Sequence, residues 1–237
     1  MINKAKISAS ISRKIHKIFL NEKKRFPGSE KYWIQRYNIG RNSGRGSFDQ
    51  LAEFKAETLN KFVKKNKIAT IIEYGCGDGN QLKLADYPSY IGFDVSPAAI
   101  TLCRETFQND NTKRFGLMSE YKGETARLTL SLDVIYHLIE DEIYHAYMER
   151  LFNSSEQFVI IYSSDYEDAQ KFHEKRRQFT RWVEVNQCHW KLIRHIPNRF
   201  PFDVNLKTGS LSDFFIYEKN EDSAQGPSLC CGSSVSE

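Results

Sequence analysis

The stretch IATIIEY (residues 68–74), followed at once by GCGDG (75–79), constrains the fold more than any other part of this sequence. Its apolar and β-branched residues occupy both alternating positions, so the strand they form needs cover on both faces, as strands of parallel sheets do. Parallel strands in turn need crossover connections, which are usually helical. Gly75, Gly77 and Gly79 then end the strand in a turn whose backbone dihedrals other residues reach only with strain. The missing side chains also let a ligand approach the main chain, and the turn is expected to lead into a helix whose N-terminus and backbone N–H groups face that ligand.

The rest of the chain repeats the alternation. SYIGFDV (89–95) reads as a second strand, with Ser96 and Pro97 capping and opening a helix. RLTLSLDVIY (127–136) and QFVIIYS (157–163) are strands flanking the helix EDEIYHAYMERLF (140–152), and HWKLIRHI (189–196) and SDFFIYE (212–218) close the sheet. A polar helix is expected over 167–185. Upstream, YWIQRYNIGRNSGRGS (32–47) reads as a loop or lid, and Ser47-Phe48-Asp49-Gln50 as a capping box opening a helix with the stripe Leu51, Phe54, Leu59, Phe62 and Val63. These elements predict an α/β fold: a doubly wound, mostly parallel Rossmann-like sheet with helices on both faces and an N-terminal helical and lid extension. Residues 1–46 form that extension, 47–219 the ligand-binding domain, and 220–237 a polar, unperiodic tail read as flexible.

Composition narrows the classes. With 237 residues, 40% of them hydrophobic, the chain fills one full-sized core. A net charge of +4 permits anionic partners, but no dense Lys/Arg stripe interleaved with aromatics announces nucleic acid. The five cysteines have no metal-ligand spacing, and no apolar run approaches the ~20 residues of a membrane span, so no metal is expected and a cytoplasmic setting is. Residues 2–26 are strongly basic, with Ile7, Ile11, Ile15 and Ile18 at helical spacing. They read as a helix packed on the domain, or alternatively as a peripheral contact with an anionic inner-membrane face.

The glycine spacing distinguishes ligands. Approach to a pyrophosphate uses G-x-G-x-x-G, whereas here the pattern is G-x-G-x-G with Glu73 and Asp78 beside it. Two carboxylates repel phosphate but suit a ligand carrying a sulfonium, an ammonium and a ribose. Asp94 closes the second strand, where its carboxylate can accept hydrogen bonds from both ribose hydroxyls.

EYGCGDGNQL with YIGFDVSPAAI, and then LSLDVIYHLIEDE, resembles the cofactor motifs of class I S-adenosylmethionine-dependent methyltransferases. YWIQRYNIGRNSGRGS, LAEFKAETLNKFV and WKLIRHIPNRFPFD are similar to a bacterial subgroup associated with capsule and surface-polysaccharide synthesis, which methylates sugars or their phosphate-type decorations. The resemblance implies S-adenosyl-L-methionine as cofactor and S-adenosyl-L-homocysteine as product. It implies a cofactor loop of Glu73, Gly75, Cys76, Gly77, Asp78, Gly79 and Asn80, Asp94 on the ribose, and Val95 against the adenine. Ser119 or Glu120 would meet the adenine amine, Leu132 and Asp133 would flank the methionine moiety, and Arg36 and Tyr37 of the lid would close over it.

Methyl transfer from a sulfonium needs alignment, a dry pocket and, for an alcohol acceptor, a base. His137, just past the fourth strand and titrating near neutral pH, is the candidate base, and Asp133 would set its tautomer or bind the cofactor's ammonium. Arg176 and Arg177 are candidates for an anionic small-molecule or glycan acceptor. The Asn/Asp-Pro-Pro-aromatic signature of amino-group methylation is absent, SLDVIYHL standing in its place. An RNA or protein acceptor, another small molecule, and a non-catalytic cofactor-binding subunit are the competing readings.

Overall fold

The computed structural model describes residues 26–220; the basic 2–26 segment, apart from Phe26, and the 221–237 tail with Cys230 and Cys231 lie outside it. Seven strands form one sheet: β1 (Ile71–Tyr74), β2 (Tyr90–Asp94), β3 (Lys113–Leu117), β4 (Ala126–Leu132), β5 (Ser155–Ser163), β6 (Trp190–Ile196) and β7 (Asp213–Lys219). Their order is β3-β2-β1-β4-β5-β7-β6. Strands β1 to β5 are parallel, while β7 runs antiparallel to β5 and β6 antiparallel to β7.

The two-sided apolar pattern of the strands sorts into two cores. Ile71, Leu128, Leu130, Phe158 and Ile160 meet helices α2 (Asp49–Lys65) and α3 (Pro97–Thr106) on one face. Ile72, Val159 and Ile161 meet α4 (Asp141–Asn153) and α5 (Phe179–Asn186) on the other. The doubly wound, mostly parallel Rossmann-like sheet is therefore what the chain forms. Strand order reverses at β1, whose neighbours are β2 and β4, and this opens a crevice beyond their carboxyl ends. Helix α1 (Ser29–Asn38) and the loop after it roof that crevice. Among the described residues no helix is long and apolar enough to cross a membrane.

Local signals held where the chemistry was local. The Ser96 hydroxyl accepts the Ala99 N–H (3.3 Å) with Pro97 in the first turn. Gly75, Gly77 and Gly79 have φ of 82°, 58° and 72°. A Cβ on Gly75 would stand 2.5 Å from Val134, and one on Gly77 would stand 2.7 Å from the Tyr37 hydroxyl.

Other expectations are corrected by tertiary contacts. The glycine turn leads only into a four-residue 3-10 turn, Gln81–Leu84, not an α-helix. Four of its N–H groups are engaged within the protein: Gly75 and Cys76 donate to Phe93 O, Gly77 to Asp94, and Gly79 to Cys76 O. Ser47 does not cap α2; Phe48 is the N-cap residue, and Ser47 O instead accepts from Asn80 Nδ2 (2.6 Å). Residues 32–38 belong to α1 rather than to a loop. The chain over 164–178 is irregular, and α5 starts only at Phe179. Its polar residues serve tertiary ties there: Asp165 holds the N–H and hydroxyl of Thr180 (3.0 and 2.7 Å), and Lys175 N–H donates to Tyr136 O.

The Ser96 cap generates a direct expectation. Ser96→Ala should lower unfolding free energy by about 1 kcal/mol. A denaturant titration should show a reduced midpoint with an unchanged slope, and an unchanged midpoint would remove the cap from the account.

Candidate functional site

A cavity of about 320 Å³ occupies the crevice. Its floor is Gly75, Cys76 and Gly77 after β1, Asp94 and Val95 at the end of β2, and Leu132 and Asp133 at the end of β4; Trp33 and Tyr37 of α1 roof it. The roof is fastened at several points. Ser29 at the start of α1 donates through its N–H and hydroxyl to Glu140 (3.0 and 2.6 Å), while its Oγ accepts from Ile139 N–H. Asp78 accepts the Ser43 N–H (3.0 Å), and buried Tyr37 stands over Gly77.

Two buried carboxylates face this cavity. Asp94 accepts from the N–H groups of Gly77 and Ser96, one on each oxygen (both 2.9 Å), leaving each oxygen acceptor capacity. Burial nevertheless raises its pKa to about 6, against the lowering by those bonds. Glu73 accepts from Tyr90 Oη (2.7 Å), and burial raises it to about 7. Gln81 Oε1 is a further buried acceptor in the same cavity with no partner among the described residues. The walls thus ask for a ligand that brings positive charge and hydrogen-bond donors.

Lys55, 1% exposed, was not anticipated. Its Nζ donates to Asp133 Oδ2 at 2.8 Å and lies over the Tyr162 ring. Asp133 Oδ1 accepts from Tyr136 and Ser212 (both 3.1 Å), and its backbone has φ of 59°. The signal was present in the sequence: Lys55 falls midway between Leu51 and Leu59 at helical spacing, a cation on the apolar stripe.

Asp133 does not set the His137 tautomer. His137 Nδ1 lies 2.9 Å from His173 O, so Nδ1 carries the hydrogen and Nε2 the lone pair. The ring is enclosed by Trp33 at 5.0 Å, Tyr136 at 4.4 Å and, stacked, His173 at 5.3 Å. Burial outweighs the His173 carbonyl and lowers the pKa to about 4, so the near-neutral titration expected from sequence is corrected.

His137 and Asp133 also line a second cavity of about 530 Å³, between the lid loop and the chain joining β6 to β7. Arg36 lies there rather than in the first cavity, its Nε donating to Asn42 O (2.7 Å). Arg176 lines the second cavity as well.

Arg177 lines neither of these cavities, and its assignment to the acceptor is corrected. Its guanidinium is consumed by Asp141 (2.7 Å) and by the carbonyls of Leu138 and Ile139, and it lies 4.4 Å from the Tyr144 ring centroid. Of the expected cofactor contacts, Asp78, Gly79 and Asn80 stand behind the cavity, Asp78 and Asn80 being spent on fastening the lid. Exposed Glu120 caps its own turn through Leu117 N–H (2.7 Å) and, like Ser119, is not in the cavity. Met118 takes that position.

No protein-family model matches the chain, and no curated protein does. Solved structures match it in fold. Magnesium protoporphyrin IX methyltransferase from Synechocystis PCC 6803, with bound S-adenosylmethionine, superposes with a TM-score of 0.59 at 12% identity over 81% of this chain and 97% of that one. The N-methyltransferase NodS from Bradyrhizobium japonicum WM9, with S-adenosylhomocysteine, gives 0.57 at 12% over 80% and 98%. The methyltransferase domain of bacterial CtHen1-C gives 0.56 at 17% over 71% and 98%. The sheet is thus a Rossmann-like methyltransferase fold.

The Lys55–Asp133 pair carries its own expectation. Lys55→Met leaves Asp133 without its cation and should cost about 3–5 kcal/mol of stability, read as a fall in denaturation midpoint. A variant as stable as the parent would show that Tyr136 and Ser212 suffice to hold the carboxylate.

Proposed function

We propose that this chain is an S-adenosylmethionine-dependent methyltransferase, yielding S-adenosylhomocysteine, that acts on an oxygen of a sugar or of a sugar-linked phosphate-type group in bacterial capsule or surface-polysaccharide synthesis. The observation that carries the cofactor reading is the pair of buried carboxylates, Glu73 and Asp94, in one cavity at the strand-order reversal of a methyltransferase-type sheet. The polysaccharide setting is supported by the sequence resemblance of the lid and of the β6 region.

The residues fit the cofactor. Asp94 keeps a lone pair on each oxygen for the ribose diol, and Glu73 with the unpartnered Gln81 Oε1 complements positive charge. Val95 and Met118 offer apolar contact for the adenine. When bound, the cofactor supplies an electrophilic methyl whose C–S electron pair leaves with sulfur. Trp33 and Tyr37 keep water from that centre. His137 Nε2, which carries the free lone pair, would accept the proton of an alcohol acceptor. With a pKa of about 4, His137 is already neutral at physiological pH, yet it is a weak base. Its contribution therefore belongs near the lower end of general-base effects.

Cofactor affinity should depend on pH with a definite sign. Burial has raised both carboxyls, so the ligand-free fold loses stability as pH rises from the ordinary carboxylate range through about 6 for Asp94 and about 7 for Glu73. A ligand that brings an ammonium group and ribose hydroxyl donors pairs with the ionised forms and expels those protons. Calorimetry with S-adenosylhomocysteine should show affinity rising between roughly pH 5 and 8 and levelling above. Asp94→Ala should weaken binding at least tenfold, as loss of charge-assisted bonds of about 1.5–3 kcal/mol requires. Preference for a nicotinamide dinucleotide, or no effect of Asp94→Ala, overturns the cofactor assignment.

For the acceptor step, His137→Gln should lower turnover about 10²-fold with cofactor affinity intact. With cofactor saturating at every pH, the parent turnover should stay flat across pH 6–9, well above the histidine's titration. A variant retaining most of its turnover would instead favour a phosphate-type oxygen, already ionised and in no need of a base.

A further inference from the structure

We propose that the cavity of about 530 Å³ beside His137 binds an anionic group of the methyl acceptor, phosphate or carboxylate in type, with Arg176 as its principal contact. That the bound molecule is a methyl acceptor rests on the methyltransferase reading; that the cavity takes an anion does not.

Arg176 is 9% exposed, and its Nε has no hydrogen-bond partner among the described residues. One end of the guanidinium donates to Glu174 (2.7 Å), another lies 3.8 Å from Asp168, and the group sits near the rings of Tyr136 and Tyr166. A fork this well supported, with one donor unspent, is costly to bury unless something else completes it. Ser164, 2% exposed at the end of β5, lines the same cavity with its Oγ unpartnered. Ser43, on the lid, does the same. Of the six buried side-chain atoms without a partner among the described residues, three thus line this one cavity.

The charge balance has the matching sign. Arg36, Arg45, Lys171 and Lys207 border the cavity together with Arg176. Its carboxylates are already answered, Asp133 by Lys55 and Glu174 by Arg176. The ammonium of Lys207 forms no ion pair with any described residue. Arginine with hydroxyl donors is the usual chemistry for a multi-oxygen anion. Position supplies the role: Trp33, Ser43, Ser47, Asp133 and His137 line both cavities. An anion at Arg176 would therefore hold the rest of its molecule at the wall shared with the cofactor cavity.

The test titrates inorganic phosphate and, separately, acetate at constant ionic strength into the full chain saturated with S-adenosylhomocysteine. Saturable binding of either anion, weakened at least tenfold in Arg176→Gln, is expected; the preferred anion identifies the phosphate or the carboxylate type. Ser164→Ala removes an atom with no partner among the described residues, so its melting temperature should not change, while anion affinity falls by up to about tenfold. If phosphate and acetate bind the parent no better than they bind either variant, while all three proteins retain S-adenosylhomocysteine, the inference is overturned. If the parent does not bind S-adenosylhomocysteine, the methyltransferase reading fails instead. The same anion titration on unliganded protein then decides this inference alone, with the same expected and overturning results.

Discussion

The ion pair between Lys55 and Asp133 is the contact on which the arrangement of both cavities depends. Lys55 comes from α2 on one face of the sheet and Asp133 from the carboxyl end of β4, so their 2.8 Å bond fixes helix to strand at the rim of the crevice. Asp133 also gathers Tyr136 from the following turn and Ser212 from the start of β7. A positive φ at a non-glycine residue persists only where surrounding contacts determine it, and here three side chains do so. Gly46 of the lid lies so close that a Cβ there would stand 2.6 Å from Asp133 Oδ2. A buried pair of this kind specifies geometry more surely than it adds stability.

The lid is held by a different logic. Its ties run to residues that sequence reading assigned to the cofactor: Asp78 accepts from Ser43, and Asn80 donates to Ser47. An acidic residue inside a glycine turn therefore fastens a roof here. The glycines serve the same closure, since Gly77 makes room for the Tyr37 hydroxyl as much as for anything bound below.

What could be read from sequence divides along the range of the forces involved. The β1 run, the left-handed glycines, the Ser96 cap and the placement of Asp94 are decided within a few residues, and all were legible. The fates of Arg177 and of the 164–178 segment were not. A charge run looks the same in sequence whether it faces water, a ligand or, as here, the carbonyls of Leu138 and Ile139 some 38 residues away. His137 was placed correctly beside the crevice, but its weakened basicity comes from Trp33, Tyr136 and His173 closing around it, which only the assembled structure supplies. Lys55 lay between: its position on an apolar stripe was visible, while its partner was not.

The shared wall ties the shapes of the two cavities together. Trp33, Ser43 and Ser47 belong to the lid and border both cavities. The lid's loop turns through Gly40 and Gly44, at φ of 73° and 99°, and Gly40 has no neighbour within 4 Å of where a side chain would begin. The two chambers therefore share a movable boundary in the strict geometric sense: a shift of Trp33, Ser43 or Ser47 reshapes both at once, and neither can be widened from the lid side without the other.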